Sequence, residues 1–167
     1  MNANQIAELL KARPDLAERF ATMVSEPVTT NACTSAIAAA GVVAPLLMNQ
    51  AYEAVACIAF DRKQQVIKTE ILTSGGSDGL AIVDTRRIFR WALSQGKSGA
   101  VSIILAHNHP SGDVTPSGQD VDVTKRVAAA GKIMGIQLLD HIIIGDSVNS
   151  PGYTFCSMNE RGYFIGL

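Results

Sequence analysis

The sequence predicts an α/β layered domain with a mixed sheet, on three observations: a length that holds one core, apolar runs of strand length, and helical patterns alternating with those runs. The chain has 167 residues, enough for one ordinary domain and too few for two substantial ones. Apolar residues make up 47% of it and charged residues 17%, a composition that favours a buried core over disorder.

The elements follow in order. Between residues 4 and 21, Ile6, Leu9, Leu10, Leu16, Ala17 and Phe20 recur at near-helical spacing, with Pro14-Asp15 marking a break or a new start, so one or two short helices are expected. A further helix is expected from a cap at Thr30 or Asn31 through the alanine-rich run to Ala40, ending at Gly41. Together these would form a helical appendage over residues 1–45, ahead of a main domain over residues 46–167. After Pro45 the runs Ala54–Phe60 and Val66–Leu72, joined by Asp61-Arg62-Lys63-Gln64, read as a β-hairpin. Ser74-Gly75-Gly76-Ser77-Asp78-Gly79 reads as a loop, which could help hold an extended substrate if it flanks a cleft. It fits no phosphate-binding fingerprint. Asp84 then caps a helix with Ile88, Trp91, Ala92 and Leu93 as its apolar face, stopping near Gly96. Ala100–Ala106 reads as a buried central strand. The next helix is expected to take Thr115 as cap and Pro116 as first residue, and to run to about Met134. A last apolar run, Ile136–Ile144, contains Asp140-His141.

Several function classes recede on composition. No apolar stretch reaches the roughly 18 residues of a membrane span, and the N-terminus lacks the basic start and apolar run of a signal peptide, so a cytoplasmic protein is expected. Cys33, Cys57 and Cys156 are odd in number and far apart, which suggests buried inert thiols rather than a disulfide framework or a thiolate metal cluster. The formal net charge is -1 and the basic residues are scattered. Arg62-Lys63 and Arg86-Arg87 are too short to make a nucleic-acid patch.

The segment from His107 to Asp120, HNHPSGDVTPSGQD, concentrates metal-ligating side chains. At the end of a strand, residues two apart point the same way, so His107 and His109 can offer imidazoles to one ion while Asn108 points elsewhere. Pro110 stops the strand, Ser-Gly-Asp favours a turn, and the following helix places Ser117 and Asp120 three apart on one face. One loop thus returns a carboxylate to two histidines. Two His and one carboxylate, with a position open to water, is the composition of a catalytic zinc site. Nitrogen and oxygen donors suit zinc better than calcium or magnesium, although iron and manganese accept them too.

His-x-His-Pro, with seven positions between the second His and a Ser and two more before an Asp, resembles the JAMM motif of JAB/MPN metalloproteases, and the longer string HNHPSGDVTPS resembles their RadC branch. The likeness extends over residues 53–61, 84–95 and 101–126 and the string Leu139-Asp140-His141-Ile142-Ile143-Ile144-Gly145, and so covers about residues 50–167. It implies a three-layer, cytidine-deaminase-like fold, one zinc ion on His107, His109 and Asp120, and a Glu on an upstream strand. By position that Glu is Glu53, eight residues before Asp61, with Glu70 as second choice. In that scheme zinc lowers the pKa of water toward ~7, and Glu53 takes its proton and passes it to the leaving amine. Ser117 would donate to the oxyanion of the tetrahedral intermediate, with helix capping as its alternative role. His141 is expected to be buried and hydrogen-bonded, or else to support the metal ligands. Arg86 matches the family's Arg, whereas Arg87 stands where the family has Glu.

The resemblance implies a peptide or isopeptide substrate. It also carries a second reading, a DNA-repair-associated module that binds DNA or protein, because relatives carry a helix-hairpin-helix segment that this sequence is expected to lack. The N-terminal helices could serve a partner or a homodimer. A zinc deaminase would need further Cys ligands and a His-x-Glu signature, which the sequence does not contain.

Overall fold

The structure, a computed structural model, describes residues 33, 35–48, 50–74, 84–146 and 152–166. The helices expected in residues 4–21, the cap at Thr30 or Asn31 and the glycine-rich loop after Ser74 lie outside these residues. The described elements are α1 (Ala36–Leu47), β1 (Ala54–Phe60), β2 (Val66–Ser74), α2 (Thr85–Leu93), β3 (Ser102–His109), α3 (Gly118–Met134), β4 (Gln137–Asp146) and β5 (Tyr153–Ser157).

The strands form one five-stranded sheet in the order β2-β1-β3-β4-β5. β1 is antiparallel to β2 and β3, β3 is parallel to β4, and β4 is antiparallel to β5. The parallel pair requires a crossover connection, which α3 supplies. The pleat divides the core in two. Ala54, Ala56, Ile58, Phe60, Ile104, Ala106, Ile142 and Ile144 face α1. Cys57, Ala59, Ile103, Leu105 and Leu138 face α2 and α3. Because both faces are covered, β1 is buried along its whole length and reads as a continuous apolar run rather than an alternating one. The result is the expected mixed-sheet α/β domain in three layers.

Several boundaries differ from the sequence reading. α1 begins after a Ser35 cap and continues through Gly41 and Pro45. Its residues Ala39, Ala40, Val43, Ala44 and Leu47 are all buried against the sheet, and that packing outweighs the local cost of Gly and Pro in a helix. The helix therefore runs past Gly41, where it was expected to end, to Leu47. In α2 the buried face is Ile88, Phe89 and Ala92, while Leu93 is exposed. α3 takes Ser117 as its cap in place of Thr115. The short strand β5 was not foreseen, since Tyr153–Ser157 is five residues long and only partly buried. Cys33, Cys57 and Cys156 are free and buried, and burial pushes the Cys57 thiol far above its ordinary range, which keeps it unreactive.

Candidate metal centre

The site lies where β3 ends. β3 stays paired with β4 through His109, with His107 opposite Ile143 and His109 opposite Gly145. His107, His109 and His141 share the sheet face that α2 and α3 cover, because they continue the alternation of Ile103 and Leu105 on β3 and of Ile143 on β4. On the other side of β3, Val55 pairs with His107. Continuing that antiparallel register by two residues puts Glu53 across from His109 and on the same face.

Glu53, Val55, His107, His109, Ser117, Asp120 and His141 are among the residues lining one cavity of about 370 Å³. One ligand atom from each of His107, His109 and Asp120 falls within 4.8 Å of the other two. His107 Nε2 is 3.0 Å from His109 Nε2 and 3.1 Å from an Asp120 carboxylate oxygen. His109 Nε2 is 3.6 Å from the other oxygen. Tetrahedral zinc with bonds of about 2.0–2.1 Å would hold its donor atoms about 3.3 Å apart. The spacing and the donor chemistry both fit a bound metal ion.

Local structure aims each ligand. His109 Nδ1 donates to the carbonyl of Asp113 at 2.5 Å. A carbonyl only accepts, so the proton sits on Nδ1 and the Nε2 lone pair points into the site. Asp113 itself turns the loop by accepting from Thr115 N at 2.9 Å. Asp120 belongs to a capping box: its Oδ2 accepts from Ser117 N at 2.7 Å and from Ser117 Oγ at 2.6 Å, while Asp120 N donates to Ser117 Oγ at 3.2 Å. The loop lies directly over β4 at Gly145, where a Cβ would come within 2.5 Å of Gly112 O and 2.8 Å of Val114 Cγ1. Only glycine permits that approach.

The remaining polar groups support these. Asn108, buried on the opposite face, accepts from Ala54 N at 2.8 Å and donates to Tyr52 O at 3.3 Å, so one side chain holds the backbone on both sides of Glu53. His141 meets His107 Nδ1 through its Nε2 at 2.9 Å and Thr124 Oγ1 through its Nδ1 at 2.7 Å. Burial pushes the His141 imidazole down to about 3, so the ring is neutral at physiological pH. Burial would raise the Asp120 carboxyl, yet the His107 and His109 imidazoles beside it and the hydrogen bond from Ser117 hold it well below the usual range. The neighbouring Asp120 carboxylate in turn raises His109. An ionised carboxylate beside two imidazole nitrogens is a donor set that suits a divalent cation.

Known families place this arrangement. A model of the RadC-like JAB domain matches residues 33–163. The chain belongs to the RadC-like JAB domain family. A UPF0758 protein of Listeria monocytogenes serotype 4b is 47% identical over 108 residues, covering 65% of this chain and 44% of that relative. A UPF0758 protein of Geobacillus sp. WCH70 is 47% identical over 106 residues, covering 64% and 42%. One from Syntrophomonas wolfei is 45% identical over 102 residues, covering 61% and 39%. The matched region thus spans less than half the length of these relatives. The family match to this chain includes both α1 and β5, which fits the packing of both against the central sheet.

Of the residues singled out in the sequence, the fold brings Glu53, His107, His109, Ser117, Asp120 and His141 into one cavity. Glu70 is elsewhere, on exposed β2, where its carboxylate accepts from Trp91 Nε1 at 3.1 Å. Arg86 pairs with its own cap residue Asp84 at 3.3 Å. Asn108, Asp113 and Thr124 were not foreseen as participants. The polar Asn between two candidate ligands was the signal available for the first, and the Ser-Gly-Asp turn pattern for the second; nothing in local pattern marks Thr124.

Proposed function

We propose that this chain is a zinc-dependent hydrolase of the JAMM type that cleaves a peptide or isopeptide bond in the cytoplasm. The observation that carries the reading is the convergence of His107, His109 and Asp120 on one point in a cavity that Glu53 also lines. Zinc held there supplies Lewis-acid chemistry, lowering the pKa of water toward ~7 and polarising a carbonyl oxygen. Glu53 takes the proton of the attacking water at its carboxylate and returns it to the leaving amine. Asn108 anchors the backbone on both sides of Glu53. Ser117 orients Asp120 first; to serve the oxyanion as well, its hydroxyl proton must swing away from Asp120 Oδ2. Among the described residues no helix is long and apolar enough to cross a membrane.

The test is metal analysis joined to a cleavage screen on peptide and protein libraries. Stoichiometric zinc that is lost in His107→Ala, with cleavage lost in Glu53→Gln while zinc is retained, is the expected pattern. A preparation that takes up no zinc, or cleavage indifferent to both substitutions, overturns it.

A second reading is a RadC-like interaction module for DNA or protein. The family match favours it, since the name UPF0758 assigns the relatives no activity. Against it stand the net charge of -1 and the scattered basic residues. A gel shift on duplex and branched DNA at low salt separates the two, because electrostatic DNA binding is strongest there.

A further inference from the structure

The floor of the cavity carries a line of polar contacts that hydrolysis does not use. From His107 Nδ1 it runs 2.9 Å to His141 Nε2, from His141 Nδ1 2.7 Å to Thr124 Oγ1, and from Thr124 Oγ1 2.7 Å to the carbonyl of Asp120. His141 is 2% and Thr124 1% exposed, so solvent does not stand in for any member, and each contact needs one donor and one acceptor.

Those requirements leave one self-consistent polarity. The Asp120 carbonyl only accepts, so the Thr124 proton turns to it, and Thr124 Oγ1 must accept from His141 Nδ1–H. His141 Nε2 is then the acceptor for His107 Nδ1–H, which leaves the His107 Nε2 lone pair facing the metal position. Every donor meets an acceptor, and the line ends on the backbone of Asp120. In the reverse polarity Thr124 would donate to His141 Nδ1, and its oxygen would meet the Asp120 carbonyl as two acceptors 2.7 Å apart; His107 Nε2–H would then be closed to a metal.

We propose that Thr124 and His141 are positioning residues that hold the ring proton of His107 on Nδ1 and so keep its Nε2 lone pair open to a metal. The inference rests on His107 being a metal ligand. Its test is zinc affinity, read by competition with a chromogenic chelator, together with ring 15N NMR of the histidines. Thr124→Val keeps the shape and leaves His141 Nδ1–H without an acceptor; it should weaken zinc binding roughly 10- to 100-fold, and Thr124→Ser should restore most of it. In wild type both His107 and His141 should carry the proton on Nδ1, with zinc and without it. Thr124→Val binding zinc as tightly as wild type, or His141 protonated on Nε2 in the zinc complex, overturns the relay. Should Thr124→Val not fold, the wild-type spectra decide. Wild type that binds no zinc removes the metal reading itself, whereas zinc lost in His107→Ala but unaffected by Thr124→Val removes the relay alone.

Discussion

Gly145 ties the metal loop to the sheet, and Gly145→Ala measures how tightly. The added Cβ would stand 2.5 Å from Gly112 O and 2.8 Å from Val114 Cγ1, both well inside the 3.4 Å at which ordinary contact begins. Gly112 O is backbone, and Gly145 is fixed in β4 opposite His109, so the relief must come from the loop, which retreats by roughly 0.9 Å in a packed setting. Overpacking of this kind costs about 1–3 kcal/mol, which for a chain of this size lowers Tm by roughly 3–10 °C. The same retreat draws Asp113 O away from His109 Nδ1, now 2.5 Å apart, and loosens the ring whose Nε2 faces the metal position. Zinc affinity should therefore fall along with Tm. Differential scanning calorimetry and chelator competition read the two effects. Gly118→Ala is the control, since a Cβ there meets nothing within 4 Å and a helical alanine is favourable; its Tm should hold or rise. If Gly145→Ala matches wild type in both Tm and zinc affinity, the loop is not seated on β4 as argued.

Other consequences are as direct. Ser117→Ala removes the side-chain half of the capping box and should cost about 1 kcal/mol in urea unfolding, with a weaker hold on zinc because the Asp120 carboxylate loses the Ser117 hydroxyl and keeps only the backbone N–H as donor; unchanged stability would mean that the cap contributes nothing. Asn108→Ala leaves the buried Ala54 N–H unsatisfied, at about 1–3 kcal/mol, and should depress kcat for any amide substrate while zinc content stays at wild-type level; loss of zinc instead would assign Asn108 to the metal ligands. Burial pushes the Asp140 carboxyl above its ordinary range, against hydrogen bonds from Ser157, Asn159 and His141. The folded state therefore keeps that proton to higher pH than the unfolded chain, and stability falls as pH rises from about 4 through the folded value. Asp140→Asn should lack this part of the slope, so identical pH slopes of the urea midpoint in both proteins would refute it.

The residues that report on fold and site differ in how local their causes are. The apolar runs of β1, β3 and β4 are visible in the sequence because a strand buried on both faces needs nothing polar. The alternation with α2 and α3 then names the layered class. The candidate metal ligands are visible for a similar reason. His107 and His109 share a strand face by period, and Asp120 returns through a turn and a cap within fourteen residues. Glu53 is different. Fifty-four positions separate it from His107, so its place came from resemblance, and the geometric cause is the β1–β3 register together with Asn108.

Where the sequence reading placed boundaries by local signals alone, packing moved them. Gly41 and Pro45 argue against a helix that the sheet nevertheless stabilises through five buried side chains. Thr115-Pro116 resembles a helix start, but Ser117 with Asp120 closes the better hydrogen-bonded cap. The sequence by itself determined the layered α/β class and the three candidate metal ligands, because both follow from short-range periodicity. Only the tertiary structure decided that α1 and β5 belong to the sheet, that Glu70 is apart from the site, and that Thr124 and His141 stand behind His107. Those depend on contacts between segments far apart in the chain, where the free energy of burial and of satisfied polar groups, rather than local preference, selects the arrangement.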